Sequence, residues 1–347
     1  MGTTLKDVAR EAGVSAATAS RALDPAAPVS PATRARVLRV VDALGYTGNA
    51  SARSLRTRRT DTIGLLIPDV RNPFFTDLAY AVDKAATTHG YTVMTGNADE
   101  DGDAQDRYLR ALDRHQVDGL LVVPQGGATD ALRRAVERRP TVCLDRDTGL
   151  GTPVVTSDSR GGMIALVDHI VALGHRRVAI VSGPLAASTG RERLAAARER
   201  FADHDVELRE DDILEGDFQL DSGIAAAEHL LSRPELPDVI IAADALMALG
   251  VLTVLRRHGV RLGEDVGLAA FDDNPAFLLL ETPVTVVAQD TTQMGHLAVD
   301  ALLALITGQS VDIDPVPTTL IPRRSLGERG PSDEPSADVT NEQEVAR

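Results

Sequence analysis

Over the first 45 positions hydrophobic residues recur at helical spacing; from Thr62 onward they gather into short strand-like runs separated by amphipathic stretches. Leu5, Val8, Ala9 and Ala12 follow an i, i+3, i+4, i+7 rhythm, with Thr4 placed as an N-cap and Asp7 three residues later as its reciprocal partner. Gly13 ends that helix. Ser15 caps a second helix running to about Leu23, which turns Ala19, Ala22 and Leu23 inward and leaves Ala16, Ala17, Ser20 and Arg21 nearer solvent. Ser30 followed by Pro31 starts a third helix, whose stripe of Val37, Val40, Val41 and Leu44 runs to Gly45. The pattern predicts three small helices sharing one core. From Tyr46 to Thr60 the chain is polar and basic, and its run Asn49-Ala50-Ser51-Ala52-Arg53-Ser54-Leu55 can form a helical turn or two only with outside support, because short helices are marginal in water.

Residues 63–67, 92–95, 119–123, 178–181, 239–242 and 266–270 are strand-like apolar runs alternating with helical ones. Such runs mark parallel sheets covered on both faces, a doubly wound α/β architecture. About 265 residues of it are too many for one core, and the helix expected at 161–173 marks a passage from one sheet to a second. The expectation is two similar lobes with a cleft between them. After Leu326 the chain turns acidic and polar, with almost nothing to bury, the composition of a disordered tail. The expected divisions are therefore a helix-turn-helix domain over 1–48, a linker or hinge helix over 49–60, a two-lobed body over 61–327 and an acidic tail over 328–347.

Charge sharpens this division. The net charge of -15 would argue against a nucleic-acid partner, but it hides a split. Residues 1–60 carry ten Lys/Arg against four acidic residues, a balance of +6, and the remainder carries 26 against 47, a balance of -21. A basic head on an acidic body suggests that only the head meets a phosphate backbone; a solvated basic face is the alternative. The single cysteine, Cys143, sits in an apolar run and forms no internal disulfide, which fits a buried, inert thiol and a reducing compartment. Lys6, Asp7 and Arg10 leave no room for an apolar export core, and no uncharged run reaches membrane-spanning length, so a cytoplasmic protein is expected. Dinucleotide, phosphate-loop and nucleophile-elbow motifs are missing, as is metalloprotease histidine spacing, so neither an enzyme nor a cofactor or metal is expected.

The segment Leu5-Lys6-Asp7-Val8-Ala9-Arg10-Glu11-Ala12-Gly13-Val14-Ser15, with Thr18, Ser20, Arg21 and Leu23, closely resembles the lac-repressor (LacI/GalR) family of bacterial transcription regulators. The likeness continues through Val29-Ser30, Thr33, Arg34, Leu44-Gly45-Tyr46, Asn49, Ala52-Arg53-Ser54-Leu55 and on to about Leu326. It implies a helix-turn-helix head joined to a periplasmic-binding-protein-like body, a homodimer on near-palindromic operator DNA, and repression controlled by a small effector, a sugar by expectation. It implies a recognition helix from Ser15 to Leu23, with Ala16 and Ala17 at variable specificity positions and Arg21 contacting a base. Thr4, Ser15, Thr18, Ser20, Ser30, Thr33, Tyr46, Asn49 and Ala52 belong to the DNA-binding set, and Leu55 to a minor-groove wedge. Arginine suits guanine O6 and N7 because its planar fork donates twice, although a phosphate clamp uses the same group. Asp24 stands where the family commonly has asparagine, and so does Ala243.

For the body, the resemblance points to Phe74, Phe75, Asp145, Arg146, Arg193, Phe218, Asp244, Asp272 and Gln289 as effector-binding residues. Carboxylates and an arginine at strand ends suit hydrogen bonds to vicinal hydroxyls, and phenylalanine rings suit the apolar face of a sugar. The bland alternatives are an Arg193 that bridges helices, an Asp272 that caps a turn and phenylalanines that belong to the core. An extracellular sugar-binding receptor shares the body plan, but the basic head speaks against it. The sequence does not decide between inducer and corepressor, or between dimer and tetramer.

Overall fold

The computed structural model describes residues 3–24, 27–46 and 59–327, which divide into two compact units at Thr60 and Asp61. In the first unit α1 (Leu5–Glu11), α2 (Ala16–Ala22) and α3 (Pro31–Leu44) enclose Val8, Ala9, Ala12, Ala19, Ala22 and Val37. The capping box forms: Asp7 N donates to Thr4 Oγ1 at 3.3 Å, and Thr4 N to Asp7 Oδ2 at 3.0 Å. Ser15 and Ser30 accept from the backbone of Thr18 (3.1 Å) and Thr33 (3.2 Å). Helix α3 ends on Gly45 at φ 58, a left-handed conformation that a residue without Cβ adopts freely. Its stripe holds at Val37 and in part at Val40 and Val41, whereas Leu44 faces outward at 37% exposure. The seven-residue α1 and α2 cover only part of a helix twice their length.

The second unit is two doubly wound lobes. In the first, β1 (Thr62–Ile67), β2 (Thr92–Asn97), β3 (Gly119–Val122), β4 (Thr141–Leu144) and β5 (Val154–Val155) form a wholly parallel sheet in the order β2-β1-β3-β4-β5. Its crossovers are α4 (Pro73–Thr88), α5 (Gly102–Arg114) and α6 (Asp130–Arg138). In the second lobe, β6 (Val178–Ser182), β7 (Ile213–Glu215), β8 (Val239–Ala242), β9 (Gly267–Phe271), β10 (Thr285–Gln289) and β11 (Thr318–Ile321) pair in the order β11-β10-β9-β8-β6-β7. Helices α7 (Ser159–Ala172), α8 (Ser188–Asp203), α9 (Leu220–Leu231) and α10 (Ala245–Arg257) accompany them. β3, β4, β6, β8 and β9 are buried along their whole length, as near-continuous apolar runs require.

Two features depart from a simple succession of lobes. After β10 the chain returns to the first lobe as α11 (Thr291–Ile306), whose Met294, Ala298, Val299 and Leu302 share a core with Ile63, Leu65 and Leu121. It then re-enters the second sheet as β11, which runs antiparallel to β10. Because β11 arrives from the neighbouring lobe, it enters at the edge where the other strands end and must run backward. The connecting segments are stitched together: Val316 N donates to Thr156 O and Asp158 N to Val316 O, both at 2.8 Å.

Candidate functional site

In both sheets the strand order reverses after the first two strands, which opens a crevice beyond the strand C-termini. The two crevices face one another. Asn72, Phe74 and Phe75 start α4 after β1; Asp145 and Arg146 follow β4; Thr189 and Arg193 lie on α8; Phe218 follows β7; Asp244 precedes α10; Asp272 follows β9; and Gln289 ends β10. They line one pocket, closed down in this structure to about 10 Å³. All nine residues picked from the sequence are thus brought together, and Asn72 and Thr189 join them.

The lobes meet directly across this cleft. Arg71 Nη2 donates to Gln219 Oε1 at 3.0 Å, and Asp147 N donates to Ser188 Oγ at 3.0 Å. The Arg146 guanidinium lies between two rings, 5.8 Å from Phe75 in its own lobe and 5.1 Å from Phe218 in the other. These two phenylalanines are therefore engaged by a cation–π pair, where the sequence suggested free platforms. Phe218 adopts φ 63, with Asp145 at φ 60 and Asp272 at φ 69. Left-handed backbone at a bulky residue costs on the order of 1–3 kcal/mol, and such strain concentrates at binding sites. Opposite Phe218, Gly183 leaves room for the ring, since a Cβ there would collide with it.

Arg193 lines the pocket and also makes bridging contacts. It stacks on Phe271 with Cζ 3.6 Å from the ring centroid, and donates to Ala243 O at 2.8 Å and to Ser159 Oγ at 3.3 Å, which ties α8 to the end of β8 and the start of α7. Asp272 accepts from Gln289 Nε2, and Gln289 Oε1 in turn bonds Ser157 Oγ at the lobe crossing. Burial and the neighbouring Asp272 carboxylate push Asp244 up to about 7, and burial pushes Asp272 up to about 6. Burial opposes the charge on Arg146, but hydrogen bonds and charge from Glu100 hold its pKa above the usual arginine value. Glu100 is the residue that sequence reasoning missed: its two oxygens accept from Arg146 Nη2 and Nη1, both at 2.7 Å. It stands in a loop after β2 without a motif; a buried arginine demanding a carboxylate was the only available signal.

In the first unit Ala16, Ala17 and Arg21 are exposed on one face of α2, Ser20 is half-buried beside them, and Ala19 and Ala22 are buried opposite. The hydroxyls of Thr4, Ser15 and Ser30 cap their helices, Thr18 Oγ1 lies 2.9 Å from Ser15 Oγ, and Thr33 Oγ1 accepts from Ser30 at 2.8 Å. Tyr46 packs on the small core. Arg34, which carried no role of its own, closes the C-terminal end of α2 by donating to Ala22 O (2.8 Å), Asp24 O (2.6 Å) and Ala27 O (2.7 Å). Asn49, Ala52 and Leu55, like the hinge up to residue 58 and the tail, lie outside the described residues. Cys143 is buried, which pushes its thiol up to about 12. Among the described residues no His, Cys, Asp or Glu cluster suits a metal, and no helix is long and apolar enough to cross a membrane.

A three-helix unit with a small-residue helix face and a two-lobed body with a polar cleft are the parts of a DNA-binding regulator with a ligand-binding domain. The chain belongs to the LacI family: residues 4–49 match the model for bacterial regulatory proteins of the lacI family, and residues 60–328 match the periplasmic binding proteins and sugar binding domain of that family. It is 31% identical over 335 residues to the HTH-type transcriptional repressor PurR of Erwinia tasmaniensis, covering 94% of this chain and 97% of that one. It is also 31% identical over 316 residues to catabolite control protein A of Priestia megaterium, covering 90% and 95%. Among solved structures, the lac repressor dimer bound to operator and the anti-inducer ONPF superposes with a TM-score of 0.84 at 27% identity, over 94% of this chain and all of that one. The complex of the transcriptional regulator CelR with cellobiose gives 0.68 at 33% identity, over 93% and 99%. The protein is a DNA-binding transcription regulator with a ligand-binding domain, and not an enzyme.

Proposed function

We propose that this regulator is a cytoplasmic repressor that binds a near-palindromic operator as a homodimer and releases or gains affinity when a sugar or sugar derivative occupies the interlobe cleft. The observation that carries the effector reading is the convergence of Phe74, Phe75, Asp145, Arg146, Arg193, Phe218, Asp244, Asp272 and Gln289, from strand and helix ends of both lobes, on one cavity. A ligand between the lobes has differential contacts with open and closed forms, which is what an allosteric signal requires. On the head, Arg21 reads a base and Ala16 and Ala17 admit close approach in the major groove, Ser15, Thr18, Ser20, Ser30, Thr33 and Asn49 hold phosphates, Thr4, Tyr46 and Ala52 complete the DNA-binding set, and Leu55 wedges the minor groove. A homodimer is supported by apolar side chains left in the open on the body, Leu279 at 86%, Tyr80 at 65% and Leu278 at 59% exposure, and by the dimeric state of the similar lac repressor structure. The test is titration of the purified protein with operator and scrambled DNA at several salt concentrations, with and without a sugar panel. Specific, salt-sensitive binding altered by one sugar supports the reading; specific binding altered only by a compound that is not a sugar removes the sugar from it.

A further inference from the structure

The charges gathered at the cleft restrict what it accepts. Asp145, Asp244 and Asp272 line it at 4%, 2% and 5% exposure, and two guanidiniums, Arg146 and Arg193, stand among them. Both are already engaged. Arg146 is held bidentately by Glu100 at 2.7 Å on each side and covered by Phe75 and Phe218. Arg193 is held by Ala243 O, Ser159 Oγ and the Phe271 ring. In each guanidinium both forked edges include a nitrogen already bonded, so neither offers the open fork by which arginine recognises phosphate or carboxylate. With Glu100 included, four carboxyl groups meet two guanidiniums; even with Asp244 holding its proton to about 7 and Asp272 to about 6, an anion entering this buried site finds no spare positive charge.

Two buried atoms without hydrogen bonds point the same way, although Arg146 Nε also lies 3.6 Å from Asp145 Oδ2 in an ion pair. Among the described residues Asp145 Oδ1 and Arg146 Nε are buried with no hydrogen-bond partner. One is an acceptor and the other a single donor, and they belong to consecutive residues. A hydroxyl, donor and acceptor at once, is the group that answers both needs. The raised pKa values of Asp244 and Asp272 report how poorly this interior tolerates further negative charge.

We infer that the effector is an uncharged or amine-bearing polyol, and that the Asp145, Asp244 and Asp272 carboxylates exclude phosphorylated and acidic sugars; this rests on the reading of the cleft as the effector site. The test is calorimetric titration of the full-length protein near neutral pH with matched probes: glucose, glucosamine and glucose phosphate; ribose and ribose phosphate; cellobiose. Each phosphate ester is expected to bind at least about tenfold more weakly than its parent, as like charges forced together require. The double variant Asp244→Asn, Asp272→Asn removes both charges while leaving each side chain one acceptor oxygen, and is expected to narrow that gap, with each single variant intermediate and circular dichroism reporting the fold. An ester that binds the wild type as well as its parent overturns the inference and leaves the sugar site standing. A gap that the variants leave unchanged overturns the role given to these carboxylates. If no probe of any charge binds, the sugar reading fails and takes the inference with it.

Discussion

Asn72 Nδ2 of the first lobe donates to Asp244 Oδ2 of the second at 2.9 Å, and each of the two residues is also the N-cap of its own helix, Asn72 for α4 and Asp244 for α10. Asn72 Oδ1 accepts from Phe74 N at 3.1 Å, and Asp244 Oδ1 accepts from Met247 N at 2.9 Å. The lobes are thus joined through the starts of two helices that frame the cleft, so opening it must break a bond to a buried carboxylate.

Replacing Asn72 with alanine removes this bond and the α4 cap together. The expected loss is about 1–3 kcal/mol of stability, read as a lowered melting temperature of the full-length protein. Asn72→Asp retains a capping oxygen but sets a second carboxylate against Asp244, and is expected to destabilise more than alanine near neutral pH. A ranking in the opposite order would show that the cap, and not the bond between lobes, carries the effect.

The two buried carboxyls make stability fall as pH rises. In an unfolded chain aspartates ionise near pH 4. Folded, Asp272 holds its proton to about 6 and Asp244 to about 7, beside Arg193, Asp145 and each other. The folded state therefore binds more protons over this window, so the contribution of these groups is complete below the unfolded pKa and lost as pH passes the folded values. Asp244→Asn with Asp272→Asn is expected to flatten the pH dependence of melting between those limits. An unchanged slope would place the titration elsewhere.

Glu100 and Arg146 form a buried pair, so the damage from removing one partner should exceed the pair's own worth. Glu100→Ala leaves the Arg146 charge, in a side chain 3% exposed, without its carboxylate, with an expected cost of about 3–5 kcal/mol. Glu100→Gln should cost less, because one acceptor oxygen survives. Denaturation followed by circular dichroism separates the two, and equal small losses for both would show that water already compensates Arg146.

How much of this was legible in the sequence depended on how far apart the cooperating residues lie. The caps at Thr4, Ser15 and Ser30 are local, and each was readable from residues at most three positions away. The nine cleft residues were readable because the family resemblance places them, although eight sheet strands and their crossovers lie between Phe74 and Asp272. Glu100 was not, since its partner is 46 residues away. Nor was the return of α11 to the first lobe: its apolar stripe declares a buried helix and carries no mark of which sheet it covers. Arg34 looked like one more basic residue of the head, whereas its three carbonyl partners make it a structural clasp.

Two arginines of the head should therefore behave differently. Arg21→Ala is expected to cost about 1–3 kcal/mol of operator affinity and to relax the preference at one base pair, with folding unchanged. Arg34→Ala should lower the stability of the head and reduce binding to all sequences alike. Competition binding against single-base operator variants distinguishes them, and a uniform loss for Arg21→Ala would assign that side chain to a phosphate.

The most direct measurement is fluorescence anisotropy of the full-length protein on DNA from upstream of its own gene, against scrambled DNA, across a salt series and with the sugar panel added. The account expects tight, sequence-specific, salt-sensitive binding that one neutral sugar changes by tenfold or so, within the usual range of allosteric coupling. Specific binding that no sugar alters, while a phosphorylated or acidic compound does, would contradict it.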